Sequence, residues 1–225
     1  MCFRRKKRFF EQEISSVASV VELTLLDARA TDRDICNLVN VAIKNKYHGV
    51  CVNSANVHYA KDYALAKAIE NLNVISVVGF PLGANSTQVK LFEAKQAIAD
   101  GADEIDVVIN IGKALDGDYD YVKNELLRIV RQSRGKIVKA IIETCYFTRE
   151  QIVALCKVCI KAKVDYVKTS TGFGTGGATP EIVRLIAENV QAKCGIKASG
   201  GIRTRVQAEE LIRAGASRIG TSTEI

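Results

Sequence analysis

No apolar run in this 225-residue chain approaches the ~18 residues that a membrane-spanning helix needs. Mean hydropathy is only +0.05, which again argues against a transmembrane protein. Histidine is nearly absent. His48 and His58 stand ten apart, outside any ligand-spaced motif, and read as surface or helix-end residues, so no metal is expected. The basic start, Met1 to Phe10, lacks the apolar stretch of a signal peptide, because Glu11, Gln12 and Glu13 intervene. No Gly-x-Gly-x-x-Gly follows the first strand-like run, so a dinucleotide fold lacks its fingerprint. The glycine-rich stretch from Gly172 to Gly177 lacks the lysine of a Walker phosphate loop. No cofactor is expected.

Cysteine is present but unpaired in pattern. There are seven, an odd number, scattered singly except for Cys156 and Cys159. A zinc site would need a second such pair, and a redox motif would need a strand before the pair and a helix after it. This pair lies inside a helical pattern, where packing explains it. The expected setting is a reduced cytoplasm.

Composition is that of an ordinary globular chain, 48% hydrophobic and 25% charged, long enough to bury a core without staples. The net charge of +7 hints at an anionic partner, but Arg4, Arg5, Lys6, Lys7 and Arg8 carry +5 of it. Residues 1–18 therefore read as a basic arm or leading helix. Binding of an anionic polymer or a membrane by this arm is the rival functional reading from a different class. For the domain itself, neither a nucleic-acid nor a membrane partner is expected.

Eight β-rich runs recur along the chain: Val21–Leu26, Gly49–Asn53, Val74–Phe80, Glu104–Asn110, Ile137–Glu143, Asp165–Thr169, Gly195–Ser199 and Ser217–Thr221. Most are nearly continuous in Val and Ile, as parallel strands covered on both faces are. Helical patterns separate them: Thr31–Asn45, Ser86–Ala99, Thr148–Ala162, Thr179–Asn189 and Thr204–Ala214. The alternation predicts an α/β fold, a (β/α)8 TIM barrel over residues 19–225, with a doubly wound open sheet as runner-up. An eighth helix after the last strand is missing or truncated in this pattern, and residues 8–19 are a candidate to cover that gap or the barrel floor.

Functional groups of such barrels gather at the carboxyl ends of the strands. Alternation places Asp106, Val108 and Asn110 on one face of strand four, and Lys139, Ile141 and Glu143 on one face of strand five. Lys168 shares a face with Ser170, and Lys197 with Ser199. Charges in apolar strands are costly unless paired. For any single lysine a structural ion pair explains the charge, but several on successive strands weaken that explanation. Lys168 and Lys197 stand on neighbouring strands, and a cation beside an amine disfavours its protonation. A neutral lysine attacks carbonyls, so the pair points to Schiff-base chemistry with Asp106 moving protons. On these grounds Lys139 stays an open alternative. Cys145 offers a thiol with no histidine near it in sequence. Seven of the 16 glycines fall between 172 and 201, and three successive strand ends are Gly/Ser/Thr-rich, the pattern of a phosphate site. A phosphorylated carbonyl compound is the expected substrate.

These residues fall in motifs that closely resemble the deoxyribose-phosphate aldolase family: Val78-Gly-Phe-Pro-Leu-Gly83, Gly101-Ala-Asp-Glu-Ile-Asp-Val-Val-Ile-Asn110, Lys139-Ala-Ile-Ile-Glu-Thr144, Asp165-Tyr-Val-Lys-Thr-Ser-Thr-Gly-Phe-Gly-Thr-Gly-Gly-Ala-Thr179, Lys197-Ala-Ser-Gly-Gly-Ile-Arg-Thr204 and Gly215-Ala-Ser-Arg-Ile-Gly-Thr-Ser222. The resemblance runs from about Val21 to Ser222. It implies a class I aldolase of deoxynucleoside breakdown, with Lys168 as the Schiff-base lysine, Lys197 as the second lysine and Asp106 as the proton relay. It implies a supporting polar network of Lys139, Glu22, Thr169 and Thr171. It implies a phosphate site at Gly172, Gly200, Gly201, Gly220, Thr221 and Ser222, and a small phosphorylated sugar as substrate. A homodimer is the candidate assembly. Another phosphate-binding barrel aldolase or isomerase is the alternative. The sequence departs from the family at Glu22, where Asp is usual, at Ser54, where Pro is common, and after strand eight, where relatives usually continue.

Overall fold

A computed structural model describes residues 16–69 and 71–225. The expected arm of residues 1–18 lies almost wholly outside the described residues. Eight strands form a closed parallel barrel in chain order: β1 (Val21–Leu25), β2 (Gly49–Val52), β3 (Asn73–Val78), β4 (Glu104–Val108), β5 (Ile137–Ile141), β6 (Tyr166–Lys168), β7 (Gly195–Ser199) and β8 (Arg218–Thr221). β8 pairs with β1 through Ile219 opposite Val21, so the sheet has no edge.

Eight α-helices are described: α1 (Asp32–Lys44), α2 (Val57–Ala66), α3 (Thr87–Ala99), α4 (Ile111–Leu115), α5 (Tyr119–Gln132), α6 (Arg149–Ala162), α7 (Pro180–Val190) and α8 (Arg205–Arg213). Two of them, α4 and α5, share the fourth connection, and no helix follows β8 among the described residues. Capping boxes start α1 at Thr31, α6 at Thr148 and α8 at Thr204, each side chain accepting from the third helical amide. Cys156 and Cys159 lie buried in α6.

Three helices fall outside the patterns read from the sequence. α2 follows a short 3-10 turn, Ser54–Asn56, with no side-chain cap to announce it. Asn110, read as the end of strand four, instead caps α4 by accepting from the Lys113 amide. Asp118 then caps α5. Several strands end one or two residues earlier than the sequence implies, because their last residues turn into loops at the barrel mouth.

The two faces of the sheet divide the chemistry. Outward residues such as Val50, Val74, Ile105, Val107, Val138, Val167, Ile196 and Ile219 belong to one large apolar shell against the helices. Inside, the apolar cluster shrinks to Cys51, Ile75 and Val77, with Leu26 and Phe80 packed beside it. Val108 and Ile141 share the inward faces of Asp106 and Lys139, and most other inward positions carry charged side chains. That division is what alternation along a strand permits.

One fully buried ion pair lies in the helical layer rather than the barrel. Lys90 and Glu125, on α3 and α5, are both fully buried and meet at 2.8 Å. Lys90 Nζ also donates to the Val108 carbonyl at the end of β4, and Thr87 donates to the other Glu125 oxygen. Burial pushes the Lys90 amine below its ordinary range although Glu125 opposes this. Lys90→Met should cost about 3–5 kcal/mol, because it strands a buried carboxylate. Adding Glu125→Leu should recover most of the loss. Urea-unfolding midpoints check this, and equal losses in the single and double variants would contradict it.

Candidate active site

Six buried charged side chains fill the interior of the barrel: Glu22 from β1, Glu104 and Asp106 from β4, Lys139 from β5, Lys168 from β6 and Lys197 from β7, while the less buried Arg218 of β8 comes within 3.9 Å of Glu22. Three carboxylates thus face three amines. Asp106 is the hub. Its Oδ1 accepts from Lys139 at 2.8 Å. Its Oδ2 accepts from both Lys168 at 2.8 Å and Lys197 at 2.6 Å. Lys197 also donates to Glu22 Oε2. Lys139 lies 2.5 Å from Glu104 Oε2 and 3.3 Å from Glu22 Oε1. The lysines therefore differ in their carboxylate partners: three for Lys139, two for Lys197, one for Lys168. Lys168 is also the last residue of its strand, nearest the mouth.

The register explains how the cluster assembles. Asp106 pairs with Lys139 across β4 and β5, and Lys168 with Lys197 across β6 and β7. Barrel closure then brings Glu22 of β1 within reach of both. A side chain at Gly220 of β8 would place its Cβ 3.0 Å from Lys197 Cε, so glycine there leaves the amine its space. Gly220 sits inside the strand rather than in a loop.

Burial by itself would raise the Asp106 pKa, but Lys139, Lys168 and Lys197 outweigh it and hold the carboxyl well below its usual range. Burial would raise Glu104 too, and Lys139 and His48 pull it down. Burial would lower Lys139 and Lys197. Asp106 with Glu104 and Glu22 raises the first, and Asp106 with Glu22 raises the second, above the ordinary lysine value.

Below the lysines, toward the barrel floor, His48 Nε2 meets Glu104 Oε1 at 2.9 Å. Arg218 stacks 5.5 Å over the Tyr166 ring. Donor atoms of Glu22, His48 and Glu104 lie within 4.8 Å of one another, close enough for a metal. Lys139 Nζ lies among them, however, so an amine already supplies the cation there.

Above the lysines the strand ends are laced together. Thr169 Oγ1 donates to the Ser199 carbonyl and accepts from the Ser199 amide, both at 3.1 Å, which ties β6 to β7. The Ala178 amide reaches the carbonyls of Ser199 and Gly200 at 3.1 Å. Gly200 has φ +87°, a conformation glycine adopts without strain. A Cβ on Gly172 would lie 3.8 Å from the Gly200 Cα, so the loops after β6 and β7 adjoin. Thr221 Oγ1 donates to the Ile202 carbonyl and accepts from the Thr223 amide. Gly201 and Ser222 are exposed at this rim.

Residues 13–222 match the DeoC/LacD family of aldolases. The chain belongs to the DeoC/LacD aldolase family. It is 52% identical over 211 residues to a deoxyribose-phosphate aldolase of Thermococcus kodakarensis, covering 93% of this chain and 94% of the relative. It is 44% identical, again over 211 residues, to one of Bacillus cereus, covering 93% of each. Among solved structures, an aldolase described as QR15 superposes with a TM-score of 0.89 at 38% identity, covering 93% and 92% of the two chains. A tetrameric deoxyribose phosphate aldolase from Aeropyrum pernix superposes with a TM-score of 0.85 at 34% identity, covering 92% and 86%.

In this family member, three expectations from the sequence need correction. His48 is not a free surface residue, since it bonds the buried Glu104. Glu143 does not follow Lys139 into the charged interior, because its φ of +49° breaks strand alternation and turns it toward Thr171. Lys168 and Lys197 are not simply two cations side by side, since one oxygen of Asp106 stands between them. Glu104 went unnoticed, although it stands two residues before Asp106 on the same strand face. His58 is exposed and pairs with Asp62.

The pKa directions give the cluster a pH signature. Carboxyls depressed in the folded state stabilise it above their unfolded value and lose that contribution as pH falls. Raised lysines stabilise it below their unfolded value and lose that contribution as pH rises. Stability from the cluster should therefore span from about pH 4 to about pH 10. Below about pH 4 the unfolding midpoint should fall steadily. In Lys139→Met the acid limb should be shallower, since the main cation depressing Asp106 and Glu104 is gone. Parallel acid limbs in urea titrations would count against the assignment.

Proposed function

We propose that the barrel catalyses reversible aldol cleavage of 2-deoxy-D-ribose 5-phosphate to acetaldehyde and D-glyceraldehyde 3-phosphate, through a Schiff base on Lys168. One observation carries the reading. Lys168 is the amine with a single carboxylate partner, at the mouth end of a buried cluster in which the other two lysines are bound by two or three. The names of the relatives support the substrate.

The chemistry follows from the positions. Asp106 Oδ2, 2.8 Å from Lys168 Nζ, is the acceptor in reach when the amine sheds a proton to attack C1. Lys197, 2.6 Å from the same oxygen, stands ready to return a proton as water leaves the carbinolamine. The resulting iminium takes up the electron pair of the C2–C3 bond when the C3 hydroxyl loses its proton. The enamine left on Lys168 is protonated at C2, and hydrolysis frees acetaldehyde and the lysine. The backbone at Gly172, Gly200 and Gly201, with Thr221 and Ser222, holds the phosphate, and that remote binding aligns the reacting carbons. Gly220 contributes by leaving room for Lys197. Glu22 and Lys139 keep Lys197 and Asp106 charged and in place, and Thr169 and Thr171 brace the loop above.

In this reading residues 19–225 are one catalytic domain, working in the reducing cytoplasm on a small phosphorylated sugar. A homodimer is the proposed assembly, and the exposed Val89 and Phe92 of α3 support it.

Borohydride added with substrate should trap a covalent adduct on Lys168, mapped by peptide mass. Lys168→Leu should show none. An adduct that survives this substitution, or none on the native protein, would overturn the assignment. Lys197→Leu should cut turnover by several orders of magnitude while the fold persists, and near-normal turnover would contradict its role.

A further inference from the structure

Five carboxylates are buried among the described residues, and four of them, Glu22, Glu104, Asp106 and Glu125, meet a lysine. The fifth, Glu143, makes no ion pair among the described residues. It is 1% exposed and stands just past β5 in a left-handed conformation, φ +49°, which is uncommon for a non-glycine residue. Its carboxylate is held chiefly by Thr171, with the Cys145 thiol donating to Oε1 at 3.9 Å. The Thr171 amide donates to both oxygens, at 3.2 and 3.3 Å, and Thr171 Oγ1 donates to Oε2. Thr171 Oγ1 in turn accepts from the Phe173 amide at 3.0 Å. Gly172, φ +87°, lies in the chain between Thr171 and Phe173, the two residues this bond joins. The same loop closes on the Glu143 side chain farther along, where a Cβ on Gly174 would come 3.3 Å from Glu143 Cδ. At its end a Cβ on Gly177 would come 2.1 Å from the Gly200 carbonyl oxygen.

We propose that Glu143 is a positioning residue for phosphate recognition: it fixes the loop from Thr171 to Gly177, and through it the backbone of Gly172 and Gly200 that meets the phosphate. A buried carboxylate with no cation is costly unless hydrogen bonds satisfy it. A strained backbone persists where the surroundings over-determine it. Both costs are met chiefly at one loop, the one that follows the strand ending in the Schiff-base lysine. The role differs from catalysis, because Glu143 touches none of the three lysines.

The proposal rests on the phosphate reading above, so its test separates the two. Glu143→Ala should lower kcat/KM for deoxyribose 5-phosphate by about 100-fold, the scale of a misplaced binding group. Cleavage of unphosphorylated 2-deoxyribose, which has no phosphate to position, should change far less. Glu143→Gln, which keeps an acceptor for the Thr171 amide, should restore most of the preference for the phosphorylated sugar. Amide exchange at Thr171 and Phe173 should quicken in the alanine variant and not in the glutamine variant. An unchanged preference in Glu143→Ala, equal losses on both sugars, or unchanged exchange would overturn the proposal. If the native protein cleaves neither sugar, the aldolase reading fails, and the exchange measurement alone decides whether Glu143 anchors the loop.

Discussion

Everything in the barrel interior is arranged around one buried carboxylate. Asp106 has no access to water and would be costly there alone. Three amines converge on its two oxygens, and two further carboxylates balance the charge those amines bring. Remove the hub and three cations would crowd an apolar cage with one acceptor fewer. The strand register, the glycine at position 220 and the closure of β8 on β1 all serve to bring these groups within hydrogen-bond distance.

The cluster divides labour through the number of partners. Lys139, held by three carboxylates, acts as a fixed cation in the middle of the barrel, and a metal in that position would have to displace it. Lys197, held by two, stays charged and sits beside the reacting amine. Lys168, with one, can leave its carboxylate at least cost. The same six residues, arranged with equal sharing, would make a structural ion network and nothing more. The asymmetry turns a network into a site, and the strand end at Lys168 puts the least encumbered amine where a substrate arrives.

Much of this is legible in the linear sequence. Continuous Val/Ile runs at regular spacing give the barrel, because parallel strands covered on both faces need them. Asp106, Lys168 and Lys197 stand out because ions at inward strand positions demand an explanation. The ranking of the three lysines is not legible, since it depends on Glu22 reaching across from β1 after closure. His48 is not legible either, because its partner lies 56 residues away, on β4. Strand alternation misleads at Glu143 and Asn110, where a left-handed residue and a helix cap replace the expected strand ends. In both places the chain leaves regular structure at the barrel mouth, and local turn chemistry overrides period-two alternation.

Shared carboxylates keep Lys139 and Lys197 charged around Asp106. The most direct test is a nitrogen-15 NMR titration of the lysine side-chain amines in the native protein. The Lys139 and Lys197 signals should remain those of ammonium groups at pH values above the ordinary lysine range. Loss of the proton from either at or below the ordinary lysine value would contradict it.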